Sequence, residues 1–116
     1  MSSKKPIVSV IVRTFNEERW IAHSLNAIFS QEFDNFEIII VDNNSTDFTV
    51  DIAKRFPIKK IVMIDKFLPG KALNDGIRQS SGEFIVCISA HCIPKDKYWL
   101  KNLHKHFDGN KQYAGV

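Results

Sequence analysis

Apolar and polar positions along this chain of 116 residues fall into short runs of two kinds. The first kind is rich in Ile and Val and has the length of a strand buried on both faces of a sheet. Four such strands are predicted, from Ile7 to Val12, Phe36 to Val41, Lys60 to Ile64 and Glu83 to Ile88. The last residues, Tyr113 to Val116, have the pattern of a fifth strand.

The second kind of run places apolar residues at helical spacing between the strands. Helix one is predicted to open at Glu17 and Glu18, whose charges favour a helix amino end. Helix two is predicted from a cap at Thr46 or Asp47 as far as Phe56, just before a proline. The other two helices are predicted from Lys71 to Gln79 and after a cap at Asp96.

Strands that alternate with helices at this spacing predict an α/β fold, with a mainly parallel sheet between two layers of helices. Such a fold is a Rossmann-like three-layer αβα sandwich. The length suits one domain, and the pattern stops where an α/β fold would be expected to continue. We therefore expect residues 1–116 to be the first part of a domain in a longer chain.

Composition and charge narrow the class of protein. Apolar residues make up 44% of the chain and the net charge is +3, which indicates a globular protein and does not suggest nucleic acid as a partner. The longest apolar run, Ile38 to Val41, is too short to span a membrane, and no signal peptide precedes the first strand. We expect a soluble cytoplasmic protein with reduced cysteines, Cys87 being in the core. The full-length parent could still act at the inner face of the membrane.

Polar residues follow each predicted strand, and in a parallel sheet these positions meet at the edge where ligands bind. The residues at these strand ends, including the aromatic Phe15, are Arg13, Thr14, Phe15, Asn16, Asp42, Asn43, Asn44, Asp65, Lys66, Ser89, His91 and Cys92. Carboxylate and amide oxygens accept the ring N–H of a pyrimidine, and the Phe15 ring offers a stacking face for a base. This inventory suits a nucleotide. Alternatively, Asp42 to Asp47 is only a turn followed by a helix cap.

Four motifs carry a family resemblance. They are VSVIVRTFNEE from Val8 to Glu18, VDNNSTD from Val41 to Asp47, GKALNDGI from Gly70 to Ile77, and SGEFI from Ser81 to Ile85. Together they resemble the opening of family-two glycosyltransferases. The resemblance implies the GT-A fold and the transfer of a sugar from a UDP- or dTDP-sugar to a carbohydrate or lipid-linked acceptor, in polysaccharide, cell-wall or glycoconjugate synthesis.

The resemblance also implies roles for individual residues. Thr14, Phe15 and Glu17 match the nucleotide contacts of the first loop, and Asp42 and Asn43 match the acidic pair that recognises base and ribose. An amide at position 43 keeps an acceptor oxygen but loses a charge, so it leaves the identity of the base less certain.

The predicted nucleotide site also includes Lys71, Asn74 and Arg13. Lys71 and Asn74 match the segment that closes over the nucleotide, and Gly76 and Gly82 match positions where a small residue lets backbone approach. Arg13 stands where the family commonly has proline. Its guanidinium either meets a phosphate or is an ordinary surface side chain.

The largest departure from the family comes after strand four. The family places Asp-x-Asp there to hold a divalent metal, whereas this chain has Ser89-Ala90-His91. His91 could ligate Mn rather than Mg, donate directly to phosphate, or be a structural histidine. A divalent metal cofactor is therefore an open question, and Cys92 beside His91 falls short of a zinc site.

The catalytic base of the family lies beyond the part that this chain matches, so no catalytic residue is assigned and the chain alone is expected to be inactive. The rival hypothesis is a noncatalytic module that binds nucleotide-sugars. A receiver domain is excluded by the lack of acids after strand one, and a Rossmann dehydrogenase by the lack of its glycine motif.

Overall fold

A computed structural model of the chain describes residues 7–33, 35–64, 74, 76–94, 96–106 and 113–115. The strands are β1 (Val8–Thr14), β2 (Phe36–Asp42), β3 (Lys60–Met63), β4 (Phe84–Ser89) and β5 (Tyr113–Gly115). The helices are α1 (Ile21–Phe29), α2 (Thr49–Ala53), α3, of which residues 74 and 76–79 are described, and α4 (Trp99–His106). No helix in this described part of the chain has the length and apolar character needed to cross a membrane.

The strands form one parallel sheet in the order β3-β2-β1-β4-β5. This confirms the predicted α/β fold. The chain builds outward from β1 through β2 to β3, and then resumes on the other side of β1 with β4. In open α/β sheets, ligands bind at the carboxyl ends of the strands where the order reverses in this way. Here that position lies between β1 and β4, whose register places Arg13 opposite Ser89.

Two apolar clusters cover the two faces of the sheet, because successive residues of a strand point to opposite faces. Val12 of β1 belongs to the larger cluster, with Leu25 of α1 and Leu100 of α4. Its neighbour Ile11 belongs to the smaller cluster, against which Ile77 of α3 packs. Helices therefore lie on both faces, as the three-layer prediction requires.

Several element boundaries differ from the predictions. Helix α1 begins at Ile21 rather than at the two glutamates, because residues 18–20 form a turn in which the Trp20 N–H donates to the Glu17 carbonyl at 2.9 Å. The Glu18 side chain accepts the N–H of Phe48 from the loop after β2, at 3.0 Å. Helix α2 ends at Ala53, three residues earlier than predicted. The predicted residues 71–73 of the third helix, and Val116 of the fifth strand, lie outside the described residues.

A buried carboxylate organises the amino edge of the sheet, opposite the ligand-binding edge. Glu37 of β2 accepts hydrogen bonds from the Ser9 hydroxyl at 2.6 Å and the Ser81 N–H at 2.7 Å, and its other oxygen lies 2.8 Å from the Lys59 ammonium. Burial alone would raise the pKa of Glu37, but the hydrogen bonds from Lys59, Ser9 and Ser81 outweigh it and hold the pKa below its usual value. These four residues form the amino-edge network.

Two glycines allow the close approaches that their family positions suggested. A Cβ at Gly82 would lie 2.6 Å from both the backbone nitrogen and the hydroxyl of Ser9. A Cβ at Gly76 would lie 2.7 Å from Cγ2 of Ile11. Gly82 therefore lets β4 enter the sheet beside β1, and Gly76 lets α3 pack directly on the sheet.

Candidate functional site

Hydrogen bonds join the loop after β1 (residues 15–18, the first loop) to the loop after β2 (residues 43–48, the second loop). The Asn16 N–H donates to the Ser45 hydroxyl at 2.8 Å, and the Asn16 side-chain oxygen accepts the Thr46 N–H at 2.8 Å. The Glu18 N–H donates to the Asp47 carboxylate at 3.1 Å. The two loops therefore form one connected surface at the carboxyl edge of the sheet.

Both loops bend through backbone conformations that most residues avoid. Asn16 has a φ of 50° and Asn44 a φ of 53°. Asparagine tolerates this left-handed region better than other residues with a Cβ. The two asparagines thus shape the loops in addition to any contact with a ligand.

Asp47 holds the second loop against the start of α2. Its carboxylate accepts the Thr49 N–H at 2.9 Å and also the Thr49 hydroxyl. Burial would raise the pKa of Asp47, but the hydrogen bonds from Thr49 and from the Glu18 N–H outweigh it and lower the pKa. The predicted cap at Thr46 or Asp47 was wrong, because the N-cap position of α2 is Phe48; Asp47 bonds to the first helical residue from the position before the cap.

Asp42 is fully buried, and both of its carboxylate oxygens are bonded within the loops. One oxygen accepts the Thr14 hydroxyl at 2.5 Å and the Ser45 hydroxyl at 2.7 Å. The other accepts the Ser45 N–H at 2.7 Å. The structure thus places Asp42 and Thr14 together as a support for the second loop, and their predicted nucleotide contacts stay predictions.

Asn43 differs from its neighbour, because its side chain keeps an unused acceptor. Its N–H donates to the Thr14 carbonyl at 2.9 Å, which fixes the residue beside the first loop. Its side-chain Oδ1 is buried, and within the described part of the chain it has no hydrogen-bond partner. A buried amide oxygen without a donor costs free energy, so this position suits a ligand that supplies an N–H.

Phe15 follows Thr14, whose carbonyl accepts the Asn43 N–H, and its side chain is 52% exposed. Phe48 of the second loop is also exposed. An exposed ring beside an amide acceptor is the pairing that a stacked base requires. Asn74 is exposed on α3, whereas Lys71 lies outside the described residues.

Arg13 occupies the reversal point of the sheet. It is partly buried, and its guanidinium donates to the Ser89 hydroxyl across the β1–β4 pair at 3.1 Å. Burial raises the pKa of the neighbouring Cys87 thiol, and the positive charge of Arg13 opposes that rise. Cys87 packs against the smaller apolar cluster, which confirms its predicted place in the core. Arg13 is thus a cation at the ligand-binding edge, and its predicted phosphate contact stays a prediction.

His91 and Glu17 connect the segment after β4 to the first loop. Nδ1 of His91 lies 3.2 Å from Oε2 of Glu17. The His91 side chain is 59% exposed, whereas that of Glu17 is 17% exposed. The predicted metal residue and one predicted nucleotide residue are therefore in direct contact.

Buried polar side chains in α1 and just after its end hold the segment after β4 in place. The Ser24 hydroxyl donates to the Ala90 carbonyl. Gln31 donates to the Asp96 carbonyl at 2.7 Å and accepts the Leu100 N–H at 2.9 Å. Sequence reasoning missed Ser24 and Gln31. Ser24 could have been found as a polar residue on the apolar stripe of the helix, between Ile21 and Leu25.

The residues around His91 do not build a metal site of their own. Among the described residues, no group of three or more His, Cys, Asp or Glu side chains could hold an ion. The carboxylates of Glu17 and Asp42 are already engaged with His91 and with the loops. Because Mg takes oxygen ligands and usually keeps several waters, a divalent ion beside His91 would take ligands from water and from a bound diphosphate as well as from the chain.

Comparison with known proteins agrees with this architecture. The family model for glycosyl transferase family 2 matches residues 9–116. A dolichyl N-acetyl-alpha-D-glucosaminyl phosphate 3-beta-D-2,3-diacetamido-2,3-dideoxy-beta-D-glucuronosyltransferase of Methanococcus voltae is 34% identical over 107 residues, which cover 85% of this chain and 33% of the relative. Glycosyltransferase AglE of Haloferax volcanii is 36% identical over 108 residues, covering 87% of this chain and 35% of AglE.

Solved structures share the fold. Staphylococcus aureus TarS 1-349 in complex with UDP-GlcNAc superposes with a TM-score of 0.77 at 31% identity, covering 87% of this chain and 31% of TarS 1-349. The mannosyltransferase PcManGT from Pyrobaculum calidifontis, in complex with GDP-Man and Mn²⁺, gives a TM-score of 0.79 at 29% identity, covering 91% of this chain and 33% of PcManGT.

The chain spans about a third of the length of the curated relatives that it matches. Within that third, the matched region includes both loops and the segment that carries His91. The parallel sheet, its reversal point and the family match over residues 9–116 agree with one another. The chain belongs to glycosyl transferase family 2, and it corresponds to the amino-terminal portion of a glycosyltransferase with the GT-A fold.

Proposed function

We propose that this chain binds the nucleotide diphosphate of a UDP- or dTDP-sugar at the carboxyl edge of its sheet. We further propose that the parent protein transfers the sugar to a carbohydrate or lipid-linked acceptor. The observation that carries the proposal is the buried Oδ1 of Asn43, which has no partner among the described residues although the N–H groups of Ser45 and Thr46 in the same loop are hydrogen-bonded.

The base is read by Asn43 and stacked on Phe15. The ring N–H of uracil or thymine would give the Asn43 oxygen its missing donor, and the amide can also donate to a base carbonyl. Phe15 offers an exposed ring in the first loop, one residue after the Thr14 carbonyl that accepts the Asn43 N–H. TarS, which is similar to this chain, is solved with UDP-GlcNAc, a uridine nucleotide.

The diphosphate lies between the first loop and the segment after β4. Arg13 supplies a permanent positive charge at the reversal point, and a guanidinium can bind two phosphate oxygens at once. His91 supplies a ring nitrogen, either directly to the phosphate or through a divalent ion that the diphosphate helps to hold. PcManGT is solved with Mn²⁺, which supports including a metal in the test.

The acceptor and the chemical step belong to the remainder of the parent protein. The Methanococcus voltae relative is named for a dolichyl phosphate-linked substrate, which supports a lipid-linked acceptor as one class to test. We expect the chain alone to bind donor without transferring the sugar.

Calorimetric titration with UDP, dTDP and GDP tests the donor site, with Mn²⁺ present and with EDTA. The protein is compared with the variant His91→Ala. We expect UDP and dTDP to bind more tightly than GDP and His91→Ala to weaken both. Binding that needs Mn²⁺ and falls in His91→Ala would mean that His91 acts through a metal, whereas binding unchanged by EDTA would favour direct contact with the phosphate. Failure of all three nucleotides to bind would overturn the proposal for this chain.

A further inference from the structure

Glu17 contacts His91 rather than standing free to meet a ligand. Its Oε2 lies 3.2 Å from Nδ1 of the imidazole. A carboxylate can only accept a hydrogen bond, so the ring nitrogen that faces it carries the proton. We propose that Glu17 is a positioning residue that keeps the proton of His91 on Nδ1 and so offers Nε2 to the donor diphosphate.

Glu17 is well held for this role. Its N–H donates to the Thr49 hydroxyl at 2.7 Å. Its carbonyl accepts the N–H groups of Trp20 and Ile21, at 2.9 Å and 2.8 Å, where α1 begins. With the backbone fixed on both sides and the side chain mostly buried, the carboxylate has little freedom to turn away from His91.

His91 is presented by an equally constrained segment. The N–H of Ala90 donates to the Arg13 carbonyl at 3.0 Å, and the Ala90 carbonyl accepts the Ser24 hydroxyl. On the other side, the Cys92 N–H donates to the Ser89 carbonyl at 2.9 Å. The main chain thus fixes where the imidazole stands, and Glu17 fixes which of its two nitrogens faces outward.

A stabilising ion pair is the weaker explanation of this contact. The His91 side chain is 59% exposed, and ion pairs at such exposure contribute little to folding. Neutral histidine in water favours the opposite tautomer, with its proton on Nε2. A carboxylate behind Nδ1 reverses that preference, in the way that outer-shell carboxylates orient histidines at binding sites.

The consequence for the donor site rests on the proposed function. With Nδ1 bonded to Glu17, neutral His91 presents the lone pair of Nε2, which suits a cation bound to the diphosphate. Protonated His91 presents an N–H at the same atom, which suits a phosphate oxygen. Either way, the same ring nitrogen meets the ligand.

Two-dimensional ¹⁵N–¹H NMR of the histidine rings tests the tautomer without any ligand, at about pH 8, where an ordinary imidazole is neutral. The variant His91→Asn identifies the His91 signals by their loss. We expect a pyrrole-type shift for Nδ1 and a pyridine-type shift for Nε2, and we expect Glu17→Ala to exchange the two. Glu18→Ala is the matched control, since Glu18 contacts Phe48 instead. The Nε2-protonated tautomer in the unaltered protein, or no exchange in Glu17→Ala, would overturn the inference.

UDP affinity then separates a positioning role from direct nucleotide contact. We expect Glu17→Ala to weaken UDP binding roughly tenfold, as loss of an outer-shell partner does, and to have no further effect in a His91→Ala background. An additive loss in the double variant would mean that Glu17 touches the nucleotide itself and would contradict the inference. If the tautomer exchanges but His91→Ala binds UDP normally, the assigned role of Glu17 toward the diphosphate fails while the site for the base can still stand.

Discussion

Thr14 donates its hydroxyl to Asp42 at 2.5 Å and thereby joins the carboxyl ends of β1 and β2. Asp42 is the residue whose family position suggests contact with the nucleotide, yet it is fully buried and bonded on both oxygens. This contact makes the carboxylate a fixed part of the loop framework. The neighbouring side chain, Asn43, has an acceptor, Oδ1, that is without a hydrogen-bond partner among the described residues.

Replacing Thr14 with Val tests the structural role of that contact. The change keeps the shape of the side chain but removes one donor from a buried carboxylate. We expect the free energy of unfolding to fall by about 1–3 kcal/mol, measured by urea denaturation. Thr46→Val is the control, because Thr46 is exposed and its loss should cost less than about 0.5 kcal/mol. Equal losses in both variants would contradict this role of Thr14.

Replacing Asn43 with Leu should separate binding from stability. The variant removes a buried polar oxygen that has no partner in the described part of the structure, so stability should be unchanged or rise by up to about 1 kcal/mol. UDP affinity should fall about tenfold or more, because the base N–H loses its acceptor. Calorimetry and urea denaturation measure the two effects.

Asn44→Gly provides a control for the Asn43 variant in the same loop. Asn44 is exposed and has a φ of 53°, a conformation that glycine adopts without strain. It should therefore keep UDP affinity. If Asn43→Leu also kept it, the base would not be read at this position.

These residues show what the sequence could and could not predict. Apolar runs and turn residues were enough to place the strands of the sheet and the fold class, because burial and turn chemistry are local properties. The predicted start of α1 was wrong: Glu18 lies in a turn before the helix, and its side chain bonds to Phe48, thirty positions away. No local sequence pattern predicts such a contact.

The site was predictable in the same partial way. The residues after each strand could be named, since the carboxyl ends of parallel strands share one edge. The different roles of Asp42 and Asn43 could not be predicted, because they depend on which oxygens accept the Thr14 and Ser45 hydroxyls. The Glu17 contact with His91 likewise depends on the strand order, which brings β4 next to β1.

Substituting Gly82 by Ala should destabilise the sheet. The new methyl group would lie 2.6 Å from the backbone nitrogen of Ser9, and backbone in a strand cannot move aside easily. We expect a loss of about 1–3 kcal/mol, as for other overpacked positions, measured by thermal and urea denaturation. Combining the change with Ser9→Ala removes the nearby hydroxyl but not the nitrogen, so it should not restore stability. Restoration would show that the hydroxyl alone causes the clash.

Glu37 should make folding sensitive to acid. Its pKa is lower in the folded protein than in the unfolded chain, so the unfolded chain binds the proton more readily. The stabilisation is therefore complete above the unfolded pKa of about 4.5, and is lost as the pH falls from there through the folded value. Urea denaturation at several pH values between about 7 and 3 measures this loss.

The variant Glu37→Gln identifies the group responsible for the acid sensitivity. It should be less stable than the unaltered protein at neutral pH, because the Lys59 ammonium loses its partner, and its stability should vary less with acid. Glu83→Gln changes an exposed glutamate nearby and should retain the original pH dependence. An unchanged acid response in Glu37→Gln would assign the effect to other carboxyl groups.

The amino-edge network lies at the opposite end of the strands from the nucleotide loops. The ion pair between Lys59 and Glu37, and the close approach at Gly82, hold the sheet together without using any residue assigned to the donor site. Mutations in the two loops that alter donor preference therefore leave the contacts of the amino-edge network unchanged. On the proposed function, substitutions in the two loops can change which sugar nucleotide is bound while the same sheet persists.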